Sequence, residues 1–250
     1  PQQITQATTE AVEGLSDLVR ALNMPTNHGL MNTLLPPSAA SPARAAARGT
    51  GAGTAAGIAD PAMDEGPRAE TVLAQGVQEI SSALVDEAMK PGEILSTICE
   101  VIYRALRARR VLVCLKDGNT RMRARHGMGD GVESLIATLA FESGGRDFFS
   151  LVLAQDVDVL VSDARAEKVK RHLPPWFHQQ LDAQSFLVQP LHAQGSPIGM
   201  IYAEWPEANG SKPSAEVSGL LRTLRNQVLL VVRQQLLHSS ATLPASRSGS

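Results

Sequence analysis

Ser185-Phe186-Leu187-Val188-Gln189-Pro190-Leu191-His192-Ala193-Gln194-Gly195-Ser196-Pro197-Ile198-Gly199-Met200-Ile201-Tyr202 reads as two apolar strands joined by a tight turn at Gly195-Ser196. Their apolar character fits the inner strands of a sheet, with Pro190 near the end of the first and Gly199 allowing close packing in the second. The hairpin is the strongest indication of fold in the chain.

Helical periodicity flanks the hairpin. Val217, Leu221, Leu224, Val228 and Val231 recur at alternating spacings of four and three, within a helix expected from Ser214, its N-cap, to His238. Leu220, Leu229, Val232 and Leu236 form a second apolar stripe on that helix. Upstream, Val72, Leu73, Val77, Ile80, Leu84 and Val85 predict a helix from Ala69 to about Met89-Lys90. Pro91 opens the next helix, lined by Ile94, Leu95, Ile98, Val101, Ile102 and Leu106.

Between these ends, Val111-Leu112-Val113-Cys114-Leu115 predicts a central strand, turned by Lys116-Asp117-Gly118-Asn119. The following strand alternates, with Arg121, Arg123 and Arg125 on one face and Met122, Ala124 and His126 on the other. Gly127, Gly129 and Gly131 are expected to break it before a helix through Leu135 and Leu139. A short helix at Ser150–Ala154, a strand at Asp158–Val161 and a helical region around Pro174-Pro175-Trp176-Phe177-His178 lead to the hairpin. This order predicts an α+β domain with a central antiparallel sheet flanked by helices over residues 69–238.

Residues 1–35 are expected to form a helical segment, with Val12, Leu15, Leu18, Val19 and Leu22 along one side. A lone amphipathic helix needs a partner, and the chain starts at Pro1, so this segment is expected to be the end of an upstream domain in a longer polypeptide. Residues 36–68, rich in Ala, Gly, Ser and Pro, are too poor in large apolar side chains to offset their ordering entropy and predict a disordered linker. Residues 239–250 predict a loose tail. A net charge of −2 gives no bulk electrostatic footprint for nucleic acid, and no apolar run suits a membrane helix. Two cysteines make no disulfide framework, and a cytoplasmic location is expected.

The strand end Val159-Leu160-Val161-Ser162-Asp163, the strand Gln189-Pro190-Leu191 and the strand Ile198-Gly199-Met200-Ile201, in this order and spacing, resemble a GAF domain. The resemblance spans roughly residues 69–239, and GAF domains are ligand-sensing modules of bacterial signalling proteins. A linker of this kind ahead of such a domain also resembles proteins with an upstream HD-related output (HDOD) domain. The Asn-Lys-Phe-Asp-Glu pattern of cyclic-nucleotide-binding relatives is absent, and neither Cys99 nor Cys114 sits in the setting of a bilin-attaching cysteine. Relatives that reduce free methionine sulfoxide use several pocket cysteines. Two thiols, one in an expected helix and one in a central strand, leave a thiol-based reductase a poor match.

The resemblance implies a pocket between the sheet and the middle helices, approached by His126, Phe141, Phe148, Asp163, Trp176, Phe177, Phe186 and Gln189. Trp176 and Phe177 would supply an apolar wall. The plainer reading, which the residue types favour, makes the aromatics core beneath a lid. For Asp163 the plainer reading is a cap accepting backbone N–H groups near Arg165 and Ala166. The arginines at 121, 123 and 125 read as an exposed strand face before an anion site. His126, His172, His178 and His192 lack metal-ligand spacing. Two stripes on the last helix suggest a homodimer through terminal helices. The expected function is therefore non-catalytic: binding a small ligand, with no cofactor identified, and relaying the signal through those helices. The alternatives are a degenerate domain used only for dimerisation and a thiol-based reductase.

Overall fold

In the computed structural model, the residues that can be described are 68–86, 89–208 and 213–241. The helical segment expected at 1–35 and residues 242–250 lie outside them, as does the linker expected at 36–68 except for its last residue. The elements run α1 (Ala69–Val85), α2 (Pro91–Leu106), β1 (Arg110–Asp117), β2 (Arg121–Gly129), α3 (Val132–Thr138), β3 (Ala140–Glu142) and α4 (Phe148–Gln155). There follow β4 (Val159–Val161), α5 (Glu167–Lys170), α6 (Pro175–Gln180), β5 (Ser185–Ala193), β6 (Ser196–Trp205) and α7 (Ala215–Ala241).

The strands form one six-stranded sheet in the order β3-β2-β1-β6-β5-β4, every neighbouring pair antiparallel. The opening hairpin is β5–β6. Its two-residue turn is Gln194-Gly195, both at positive φ (53° and 76°), one residue earlier than expected. Alternation along each strand divides two cores. Val111, Val113, Leu187, Leu191, Ile201 and Ala203 face a layer made by α1, α2 and α7. Leu112, Cys114, Met122, Ala124, Phe186, Val188, Met200 and Tyr202 face the short helices α3–α6. Because both faces are covered, these strands read as nearly continuous apolar runs.

Local chemistry sets the helix ends. Pro91 occupies the first turn of α2, and Glu93 reaches back so that its Oε2 accepts from Lys90 N at 2.9 Å. Ser214 caps α7 as expected, its Oγ accepting from Val217 N at 3.1 Å. Helix α1 stops at Val85, short of the expected Met89-Lys90. Among the described side chains, both stripes of α7 pack on its own domain: Val217, Leu221, Leu224, Val228, Val231 and Val232 are buried, with Leu220 and Leu229 partly buried against the same core.

Strand β2 departs most from expectation. Gly127 and Gly129 extend it instead of breaking it, because β1 runs so close that a side chain would not fit. A Cβ on Gly127 would lie 2.7 Å from Val111 O, and one on Gly129 would collide with Arg109 O. Partner residues jump from Cys114↔Ala124 to Val113↔His126, which leaves Arg125 as an extra bulge residue. The bulge turns His126 away from Met122 and Ala124 and onto the α2 side, where its Nδ1 lies 3.5 Å from Ser96 Oγ.

Candidate functional site

Seven aromatic rings occupy the space between the sheet and the short helices. Asp147 caps α4, its side chain accepting from Ser150 N at 3.1 Å, and this directs the doublet Phe148-Phe149 into the core at the first turn. Pro175 likewise opens α6 and is followed directly by Trp176-Phe177. Phe186 and Tyr202 rise from the central strands and Phe141 from the edge strand β3. Phe149 is the hub: its ring centroid lies 4.8–6.4 Å from those of Phe141, Phe148, Trp176, Phe177, Phe186 and Tyr202. Trp176 stacks on Phe141 at 4.4 Å and 15°. It is half-buried, while the other six rings are buried.

Of the residues expected at the pocket, Phe141, Phe148, Trp176, Phe177 and Phe186 are brought together here, packed mainly on one another. His126 and Gln189 are not: both lie on the opposite face, a correction to the expected placement. The Arg125 bulge reverses His126, and Gln189 pairs with Ile201 on the side covered by α7. His126 is partly desolvated there, and together with nearby Arg125 this lowers its pKa. Asp163 is exposed, and its Oδ1 accepts from Arg165 N at 2.9 Å, a turn-stabilising bond that matches its plainer reading. Helix α5 begins only at Glu167, with Ala166 as its N-cap.

A buried polar group that sequence reasoning missed closes one end of this face. Glu204, fully buried on β6, accepts from Arg110 Nε and, at 2.7 Å, from Tyr202 Oη. Arg110 also donates through Nη2 to Leu181 O at 2.8 Å. Burial outweighs these partners and raises the carboxyl pKa of Glu204; the phenol of Tyr202 is pushed well above its ordinary range, chiefly by burial. Tyr202 is thereby held as a neutral donor. Phe149 was also missed, although its doublet with Phe148 was a readable signal; a carboxylate inside the apolar run of β6 was another.

On the outer side of α5 and α6 lies an open groove of about 530 Å³ bordered by Glu167, Lys170, Arg171, Leu173, Pro175, His178 and Gln179. The two cysteines are buried in different cores, Cys99 under the helix layer and Cys114 under the aromatic cluster. Desolvation raises both thiols to about 12, so neither supplies thiolate at neutral pH. Among the described residues, no three His, Cys, Asp or Glu side chains form a group that could hold a metal ion. No described helix is long and apolar enough to cross a membrane.

Comparisons with known proteins agree with this architecture. The chain is similar in fold to the GAF domain of a phosphoenolpyruvate-protein phosphotransferase from Coxiella burnetii, at 16% identity and a TM-score of 0.56, covering 69% of this chain and 97% of that one. It is also similar to the phycoerythrobilin-bound GAF domain of a cyanobacterial phytochrome, at 12% identity and 0.53, over 68% and 98%. A third likeness is to free methionine-R-sulfoxide reductase from Neisseria meningitidis in complex with its substrate, at 18% identity and 0.51, over 68% and 96%. No curated protein matches the sequence significantly. The GAF domain family model matches residues 90–230, more than half of the chain. The sheet order, the two-layered helices and this match agree, and the chain belongs to the GAF domain family.

Proposed function

We propose that this chain is a non-catalytic regulatory domain that acts through the packing of its terminal helices on a domain of the same polypeptide. The observation that carries the proposal is the aromatic cluster: the side of the sheet where the family resemblance implies a pocket is occupied by seven of the chain's own rings. Burial of both thiols argues against the reductase reading, since that chemistry needs a reachable thiolate. Among the described residues, Val85 and Leu230, 82% and 58% exposed on α1 and α7, are the large apolar residues left for a second copy to cover. The domain then serves as a relay and dimerisation module in the cytoplasm.

Native mass spectrometry of protein purified from cells tests the proposal. Repeated isolation without an adduct, mainly as a dimer, supports it. A stoichiometric small molecule on the purified protein overturns the closed-pocket form. One observation favours ligand sensing as the second reading. Trp176 is the half-exposed ring of the cluster and stacks flat on Phe141, so a planar apolar ligand could take its place by lifting α6. In that case the adduct is retained by the native protein and lost in Phe141→Ala.

A further inference from the structure

The turn between α4 and β4 is tied to both layers of the domain. Helix α4 ends in the left-handed Asp156 (φ 52°), followed by Val157 and Asp158 before β4 begins. Val157 packs against the core that contains the aromatic cluster. Asp158, the next residue, turns its carboxylate to the other face and is 8% exposed. Its Oδ1 accepts from Arg225 Nη1 of α7 at 2.9 Å, and its Oδ2 accepts from Gln189 Nε2 of β5 at 3.1 Å. Arg222 Nε, one turn earlier on α7, lies 3.8 Å from the same Oδ2. The end of α4 is gripped separately, since His192 Nε2 of β5 donates to Leu153 O at 2.6 Å and lies 4.0 Å from Asp156 Oδ1.

We propose that Asp158 is a coupling joint, through which movement of α4 in the aromatic cluster is passed to the C-terminal helix α7 by way of Arg225 and Arg222. A buried carboxylate holding an arginine from another element leaves an unpaired charge if the two separate, so they move together or break at a large cost. Phe149 sits in the first turn of α4, nine residues before Asp158, and α4 is only about two turns long, so it moves as a unit. Gln189, expected at the ligand, instead braces the carboxylate from behind. The joint supplies a route for the regulatory role proposed above and rests on that reading for its purpose.

Amide hydrogen exchange on the intact, ligand-free chain tests the joint directly. Phe149→Leu loosens α4 with little change of volume, and exchange across α7 is read relative to α1, which packs in the same layer and supplies none of the hydrogen-bond or ion-pair partners of Asp158 named above. Phe149→Leu is expected to raise the α7-to-α1 ratio by about threefold, and to change it little once Asp158→Asn has cut the joint. Equal effects in both backgrounds, or an unmoved α7 in Phe149→Leu alone, would overturn the proposal. If Asp158→Asn does not fold, Arg225→Gln, which removes the cation bonded to Asp158 Oδ1, takes its place with the same expected outcomes. A ligand found by mass spectrometry leaves this result unaffected, so the joint and the closed pocket can fail separately.

Discussion

Replacing Phe149 by alanine removes the ring on which the other six aromatics of the pocket side converge. The side chain is fully buried, so truncation loses both the transfer free energy of the ring and the packing of its neighbours. If the surroundings collapsed completely, only the transfer part would remain, about 1.5–3 kcal/mol. Collapse is resisted here, because Phe186 and Tyr202 are fixed on central strands and Phe148 is fixed by the cap of α4. The expected loss is therefore about 3–5 kcal/mol, as for other buried Phe→Ala changes. In urea, with a slope of about 2 kcal/mol per molar, that is a midpoint lower by about 2 M. The cavity left behind is lined by rings, so benzene or toluene should bind it and restore part of the melting temperature of the variant without affecting the wild type. A loss below about 1.5 kcal/mol with no response to benzene would refute tight filling of the pocket side.

Other features predict separate outcomes. Cys99 and Cys114 should stay unreactive to a thiol reagent at neutral pH until denaturant is added; stoichiometric labelling of the native protein would contradict their burial. Gly199→Ala should cost about 1–3 kcal/mol, because its Cβ would collide with Cys114 O of the neighbouring strand. Gly219→Ala, exposed on α7 with no neighbour within 4 Å, should instead add about 0.5–1 kcal/mol, and equal effects at the two sites would undermine the strand-contact argument. Glu204 has a folded pKa raised mainly by burial, so its contribution to stability is full below the ordinary glutamate value and lost as pH rises through the raised one. Relative to Glu204→Gln, the wild type should lose stability as pH rises above the ordinary glutamate value, and a flat difference would count against this assignment.

Much of the frame could be read from periodicity and turn chemistry. Ser214, Pro91 and the Gly195 turn are local signals, and they act within a few residues of where they stand. The side chosen by an inner strand is not local. Phe186, Val188 and Pro190 alternate with Leu187, Gln189 and Leu191, but both sets are buried, so the sequence carries no polarity to tell pocket side from helix side. Gln189 was misplaced for that reason. His126 was misplaced because a single bulge residue, Arg125, reverses every side chain beyond it. Strand β3 has three residues, too few for alternation to register. The Arg110–Glu204 contact joins positions 94 residues apart, a pairing that no window along the chain reveals.

The neighbouring positions of β1 and β6 at the centre of the sheet have a consequence for how the domain is made. Gln227 of α7 donates to Val77 O at 3.1 Å and to Ser81 Oγ at 2.8 Å, closing the helix layer across 150 residues of chain. Until β6 and α7 have been synthesised, β1 lacks one of its two partners and α1 and α2 have only part of their layer to pack against. Such non-local closure folds slowly and leaves apolar surface open meanwhile. The domain is therefore completed only when its last helix is released, and a chain truncated before Ser214 should aggregate rather than yield a smaller working unit.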